Sequence, residues 1–168
     1  MIDALVELRQ EQQLAATSLA LALFLFVVNG ARLAWIDART HLLPNRIVLP
    51  WYPAALLTLG GAAAFAGDWG ALLRLVAAGT ALFAFYLALH LVKRSGMGLG
   101  DVKLAGVLGL YLGYLGWEHL VLATLLTFVL GGIGALVLIA ARRATRSSAI
   151  PFGPFMVIGT ALALLVAG

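Results

Sequence analysis

Two aspartates, Asp37 and Asp101, are the residues of this sequence whose type and position could support catalysis. They lie 64 positions apart (101 minus 37), and the charged residues closest to each are basic. Paired carboxylates can hydrolyse a peptide bond without a covalent intermediate, because an ionised one takes a proton from water while a protonated one polarises the scissile carbonyl. Each aspartate could instead be a loop residue that balances a nearby Arg or Lys. Position alone does not separate these two interpretations.

The segments around the two aspartates predict different environments for them. Asp101 follows Gly96, Gly98 and Gly100 in the first turn of a predicted helix, where backbone N–H groups and the helix dipole favour an ionised carboxylate. Asp37 is expected at the carboxyl end of the first helix, where an anion is disfavoured. Asp101 is therefore the predicted base and Asp37 the predicted acid. The glycines leave the chain open to close approach by a substrate strand, and their spacing matches no nucleotide-binding loop.

Membrane helices must position the aspartates, because the composition excludes a soluble fold. Hydrophobic residues make up 63% of the 168-residue chain and charged residues 11%, against roughly 45–50% and about 25% in soluble domains. The same values exclude a disordered chain and a water-exposed nucleic-acid-binding domain. The sequence contains no cysteine and has no histidines at metal-ligand spacing. It therefore predicts no disulfide, no metal site and no cofactor.

Six apolar segments free of Asp, Glu, Lys and Arg predict an all-α membrane protein, a compact bundle of six transmembrane helices. A crossing needs about 20 apolar residues, because roughly 30 Å of hydrocarbon is covered at about 1.5 Å per residue. The segments are residues 14–31, 47–67, 75–91, 104–117, 119–141 and 150–168. The fourth is short, so its helix must begin near Gly100 in order to span. Residues 1–13 are predicted to form a short amphipathic arm on the outer surface, ahead of one six-helix domain over residues 14–168.

The loops between these segments alternate in charge, which predicts their orientation. Nine of the eleven basic residues lie in the first, third and fifth loops: Arg32, Arg39, Arg46, Lys93, Arg94, Lys103, Arg142, Arg143 and Arg146. Basic loops stay in the cytoplasm, so both termini are predicted to be extracytoplasmic. Asp37 and Asp101 then lie at the cytoplasmic rim. The chain between them crosses the membrane twice, so the topology allows them to meet.

Three motifs, in order along the chain, resemble those of the type IV prepilin leader peptidases, which are membrane aspartyl proteases of the G-x-G-D kind. Residues 36–50 (IDARTHLLPNRIVLP) are similar to the family's first motif, an aspartate followed by Leu-Pro-Asp or Leu-Pro-Asn and then a second proline. Residues 96–104 (GMGLGDVKL) are similar to the second motif, and residues 151–155 (PFGPF) resemble the segment that opens the family's last helix. The resemblance covers about residues 30–165 of the chain.

The resemblance implies an aspartyl endopeptidase that removes the cytoplasmic leader from type IV prepilin-like substrates, with Asp37 and Asp101 as the catalytic pair. Substrate binding or loop support is assigned to Gly96, Gly98, Gly100, Lys103, Pro44 and Asn45. The implied location is the inner (plasma) membrane, with prepilin-like proteins and membrane lipid as partners and no nucleic acid. Longer bacterial members carry a cysteine-rich, metal-binding segment, and many of them N-methylate the new N-terminus. Because this sequence contains no cysteine, it leaves methyl transfer undecided.

A small transporter or assembly scaffold is the alternative from another functional class, with the two aspartates binding a cation or a partner. Such a protein predicts acidic residues at mid-depth in its helices, whereas Asp37 and Asp101 are predicted at the rim. The supporting residues also have structural interpretations. Asn45, after Pro44, could simply cap the second helix. Lys103 could bind lipid headgroups or a substrate carboxylate, and glycines within the helices could serve close packing.

Overall fold

The computed structural model describes residues 2–92, 97–141 and 151–166, with side chains from residue 10 onward. Within these ranges the chain forms six helices and no strand. The helices are α1 (Ile2–Thr40), α2 (Asn45–Phe65), α3 (Trp69–Val92), α4 (Leu99–Leu115), α5 (Trp117–Ala140) and α6 (Gly153–Val166). The predicted all-α fold is confirmed.

Four of the helices are long and apolar enough to cross a membrane. They are the Gln10–Thr40 part of α1, together with α2, α3 and α5. The other two are shorter, since α4 has 17 residues and the described part of α6 has 14. At about 1.5 Å per residue, α4 reaches about 25 Å, a little less than the hydrocarbon core. The count of six crossings therefore stays a prediction.

Helices α1 to α5 begin ahead of the uncharged segments from which they were predicted, because charged side chains near helix ends can reach towards water. In α3 the helix starts at Trp69, ahead of Arg74, whose guanidinium donates hydrogen bonds to the carbonyls of Gly113 (2.9 Å) and Tyr114 (3.1 Å). Helix α4 begins at Leu99, which agrees with the start near Gly100 that was predicted from the short apolar segment. The backbone of α1 is continuous from residue 2 to residue 40. The amphipathic arm of residues 1–13 stays a prediction.

Most residues of α4 are buried, so it is the central helix of the bundle, and glycines allow α3 to approach it closely. A Cβ atom added at Gly109 would lie 2.8 Å from both the Ala78 carbonyl oxygen and the Gly79 Cα. Small residues at such a crossing let two backbones come together, which supplies packing where lipid offers no hydrophobic driving force. Gly109 is therefore a packing residue, which agrees with the close-packing role predicted for glycines within the helices.

A buried aromatic cluster joins α1, α2 and α4. The indole N–H of Trp51 donates a hydrogen bond to the Tyr111 hydroxyl at 2.9 Å, and that hydroxyl donates to the Ala22 carbonyl at 3.1 Å. The Phe26 ring packs against both aromatic rings, with centroids 6.3 Å from Trp51 and 5.4 Å from Tyr111. Because α1 carries Asp37 and α4 carries Asp101, this cluster sets the relative position of the two helices that hold the aspartates.

Candidate active site

Both aspartates lie at the same end of the bundle, where α1 ends and where α4 and α6 begin. The loop between α1 and α2 closes over this end, and its Leu43 packs directly against Gly100 at the start of α4. Asp37 also contacts the first residue of α6, Gly153. Elements distant in sequence therefore converge on one site, as the predicted topology allows.

Asp37 lies on the last turns of α1 and is almost completely buried, with 4% of its surface exposed. Its Oδ2 atom accepts a hydrogen bond of 2.9 Å from the backbone N–H of Gly153. The first N–H groups of a helix have no partner within the helix, so the start of α6 has a donor available for this carboxylate. Asp37 is therefore held by a helix that lies 116 residues further along the chain.

Asp101 lies in the first turn of α4, outside the four helices of spanning length, and is also buried, with 9% exposed. Its Oδ2 atom accepts a hydrogen bond of 3.0 Å from the backbone N–H of Gly98, the residue at the N-cap of α4. This contact is half of a capping box, in which a side chain at the third helical position bonds back to the N-cap backbone. The predicted first-turn position of Asp101 is confirmed.

Burial raises the pKa of Asp101 from its ordinary value of 3.8 to about 6. The negative charge of Asp37 also raises this pKa, whereas the Gly98 N–H lowers it, so the two carboxyl groups lie within electrostatic range of each other. The Gly98 N–H at the start of α4 favours the ionised carboxylate, as predicted, but desolvation by burial outweighs this effect and raises the pKa of Asp101. The predicted division into Asp101 as base and Asp37 as acid stays a prediction.

Two buried carboxyl groups in electrostatic range can share one proton, and such a pair titrates as a unit. In this state one group accepts protons and the other donates them, which is the requirement for acid–base hydrolysis. Over the described residues, no three His, Asp or Glu side chains lie close enough together to hold a metal ion. The arrangement thus supplies an acid and a base from the protein's own side chains.

The predicted support residues Pro44, Asn45 and Lys103 form a connection beside the site. Pro44 occupies the N-cap position of α2, so the expectation that Asn45 caps this helix is wrong. Instead, the Oδ1 of the exposed Asn45 accepts a hydrogen bond of 3.0 Å from the Lys103 Nζ. The Lys103 carbonyl also accepts a bond of 2.6 Å from the Tyr52 hydroxyl. Both contacts fasten the first turns of α4 to α2, which limits the movement of Asp101.

The glycines of the second motif have different surroundings. A Cβ atom at Gly100 would lie 2.8 Å from the Leu43 Cβ, so this position is glycine because the α1–α2 loop crosses it. A Cβ atom at Gly98 would lie 3.3 Å from Asp101 Oδ2, which places Gly98 directly beside the carboxylate. Gly96 lies outside the described residues. The proposed role of the glycines in accepting a substrate strand stays a prediction.

Gly153 and Tyr86 also contribute to the site, although the sequence around them does not predict this. The motif at residues 151–155 indicates only the start of a helix, because the sequence does not show which group a backbone N–H bonds. Tyr86 is buried in the apolar sequence of α3, yet its hydroxyl lies within electrostatic range of Asp101. Its ring packs against Phe152, with centroids 6.4 Å apart. A lone tyrosine in an apolar helix carries no pattern from which this position could be predicted.

Replacement of Gly98 by valine is expected to reduce peptide cleavage at least about tenfold with little loss of stability. The backbone at Gly98 has φ −76° and ψ 151°, which valine adopts readily, so the fold is not strained. The added side chain would crowd the Asp101 carboxylate and stiffen the entrance to the site. Thermal melting and cleavage of a prepilin-like peptide measure the two effects separately. Normal cleavage by a well-folded Gly98→Val variant would mean that this glycine is only part of a turn.

Comparison with known proteins identifies a family that this sequence matches. The profile of the type IV leader peptidase family matches residues 16–136, a range that includes both aspartates. A prepilin leader peptidase/N-methyltransferase of Aeromonas hydrophila is 34% identical over 168 residues, covering 98% of this chain and 56% of that protein. A protein of the same name in Pseudomonas aeruginosa is 35% identical over 149 residues, covering 86% of this chain and 49% of that protein.

A third relative of that name, from Escherichia coli (strain K12), is 32% identical over 166 residues, covering 89% of this chain and 69% of that protein. This chain spans about half the length of the first relatives it matches. No solved structure matches it at a significant level. The family profile nevertheless covers most of the chain, together with the two motifs that contain the buried aspartates. The chain therefore belongs to the type IV leader peptidase family.

Proposed function

We propose that this chain is a membrane aspartyl endopeptidase that removes the leader from type IV prepilin-like proteins at the membrane interface. The observation that carries the proposal is the pair of buried carboxyl groups, Asp37 and Asp101, in electrostatic range at one end of a helical bundle. Membership of the type IV leader peptidase family supports the same reaction. The proposal concerns peptide cleavage alone and does not extend to methyl transfer.

The two carboxyl groups can divide the proton transfers of hydrolysis between them. The ionised group accepts a proton from the attacking water, while the protonated group donates a hydrogen bond to the scissile carbonyl oxygen. The new C–O bond gives a tetrahedral intermediate, and the C–N bond then breaks as the leaving amine takes a proton from the pair. Because burial raises the pKa of Asp101 to about 6, the pair holds a proton up to a higher pH than an exposed aspartate would.

The proposed topology has six crossings in the inner membrane, with both termini outside and the aspartates at the cytoplasmic face. Lys103 and Asn45 lie near Asp101, whereas Asp68 in the α2–α3 loop and Glu118 in the first turn of α5 lie at the opposite end. The excess of basic residues at the aspartate end supports a cytoplasmic location for it. This excess includes the basic residues at positions 93–94 and 142–146 of the sequence, which lie outside the described residues.

A reporter fused after Gly168 is expected to read as external, and one inserted between Arg143 and Arg146 as cytoplasmic. The physical reason is that positively charged loops are retained on the cytoplasmic side during insertion. Activities of alkaline phosphatase and green fluorescent protein fusions at the two positions measure the orientation. Opposite readings would place the aspartates on the face that a cytosolic leader never reaches.

The function is tested by incubating the purified protein with a synthetic peptide that has a short basic leader ending in glycine and then a hydrophobic stem. We expect a single cut after that glycine, detected by mass spectrometry. The matched control is the Asp37→Asn/Asp101→Asn double variant, purified in the same detergent. Cleavage at an equal rate by this control would identify a contaminating protease. Failure of the folded wild-type protein to cut the peptide would refute the proposal.

A further inference from the structure

The start of α6 makes direct contact with one of the two aspartates. The backbone N–H of Gly153 donates a buried hydrogen bond of 2.9 Å to Asp37 Oδ2. A carboxylate at the end of a side chain can rotate, and a bond from a fixed backbone donor restricts that rotation. The reacting oxygens of an acid–base pair must be held within a fraction of an ångström and a few tens of degrees of the productive geometry. This hydrogen bond can provide such restraint.

The contact requires glycine at position 153. A Cβ atom added there would lie 2.8 Å from Asp37 Oδ2, 3.2 Å from its Cγ and 3.3 Å from its Cβ. All three distances are shorter than ordinary van der Waals contacts, so even alanine must displace the Asp37 side chain or the start of α6. Either displacement lengthens or breaks the bond from the Gly153 N–H.

Neighbouring aromatic rings anchor the turn that carries Gly153. The ring of Phe152 lies 5.5 Å from Phe128 of α5 and 6.4 Å from Tyr86 of α3, measured between centroids. The Tyr86 hydroxyl is in turn within electrostatic range of Asp101. The residue before Gly153 is thus packed against helices α3 and α5, so the N–H donor has a defined position relative to both aspartates.

We propose that Gly153 is a positioning residue of the active site, whose backbone N–H orients the Asp37 carboxylate for proton transfer. The inference rests on the proposed function, because it assigns a role within that reaction. It adds α6 as a third element of the site, beside α1 and α4. The turn at residues 151–153 then serves to hold a catalytic group in place, in addition to starting a helix.

The first test compares Gly153→Ala with Gly30→Ala as a matched control. A Cβ at Gly30 would lie 3.0 Å from Val157 Cγ1, so the control adds a methyl group to the same α1–α6 interface without touching a carboxylate. We expect Gly153→Ala to lower kcat about 10- to 100-fold, to leave KM within about twofold, and to shift the pH–rate profile. The control is expected to keep the wild-type profile even where its melting temperature falls.

A kcat and pH profile for Gly153→Ala that match those of the control would overturn the inference and leave the proposed function standing. If the wild-type protein itself does not cleave the peptide, the proposed peptidase function is refuted, whatever the Gly153→Ala variant does. The hydrogen bond itself therefore needs a measurement that does not depend on activity.

Nuclear magnetic resonance of protein labelled with ¹⁵N-glycine supplies that measurement. The Gly153 amide proton is expected to change chemical shift as the carboxyl pair titrates, and to lose this change in Asp37→Asn, whose side chain cannot ionise. Any smaller change that remains at Gly153 in that variant comes from the other titratable groups that act on the pair, which are His41, Asp101 and Tyr86. A titration at Gly153 that is unchanged in Asp37→Asn would show that the N–H does not report on Asp37, and would refute the proposal.

Discussion

Replacement of either Asp37 or Asp101 by asparagine is expected to lower kcat for peptide cleavage by about 10²- to 10⁴-fold. Asparagine keeps the size and the hydrogen-bonding oxygen of aspartate but cannot gain or lose the proton that hydrolysis requires. The Gly153 and Gly98 N–H groups still find an acceptor, so the fold is retained. Single-turnover cleavage of a prepilin-like peptide measures the loss.

The double variant Asp37→Asn/Asp101→Asn is expected to be little worse than either single variant. Both side chains contribute to one transition state, and the effects of residues that act as a unit are strongly non-additive. Near-normal turnover by either single variant would contradict the assignment of the pair. Losses that multiply in the double variant would show two independent contributions instead of one shared proton.

The pH dependence of stability separates loss of chemistry from loss of fold in Asp101→Asn. The pKa of Asp101 in the folded protein is about 6, above its ordinary value of 3.8, so the folded state binds more protons than the unfolded state between these values. The stability of the wild-type protein therefore falls as pH rises through this window. The asparagine side chain cannot ionise, so the Asp101→Asn variant should be more stable than the wild type at pH 7.5, by up to about 3 kcal/mol, and nearly equal at pH 4. A lower melting temperature for the variant at pH 7.5 would contradict the burial argument.

The second large effect is expected at the contact between α3 and α4, where Gly109→Val should destabilise the fold by about 1–3 kcal/mol or more. The new Cβ would lie 2.8 Å from the Ala78 carbonyl oxygen and 2.8 Å from the Gly79 Cα. These are backbone atoms and cannot turn aside as the end of a side chain can. The two helices must therefore separate. Because α4 also carries Asp101, cleavage activity should fall together with the melting temperature.

The matched control for this variant is Gly132→Val in α5. A Cβ atom at Gly132 meets nothing within 4 Å, so the same substitution there adds no clash while its cost in helix propensity is similar. Thermal melting in one detergent, with expression level as a second readout, compares the two proteins. Equal melting temperatures would mean that the α3–α4 crossing tolerates separation and that its glycines are not required for packing.

The helices of this protein could be predicted from local patterns. Hydropathy along the chain identified the apolar segments, because a helix in hydrocarbon must be apolar on most of its surface and satisfies its backbone internally. The start of α4 near Gly100 followed from the length of the segment, and it placed Asp101 in a first turn. Motif spacing indicated the family. Each of these features depends on residues that are close together in the sequence.

The properties of the candidate site were decided by tertiary structure. The bond from Gly153 to Asp37 joins residues 116 positions apart, and the bond from Lys103 to Asn45 joins residues 58 positions apart. The raised pKa of Asp101 could not be predicted from the helix on which this aspartate lies. Desolvation sums the water removed by every neighbouring element, and the charge of Asp37 reaches Asp101 only when α1 and α4 pack together. Local sequence therefore places a carboxyl group on an element, whereas the packing of distant elements around it determines its proton affinity.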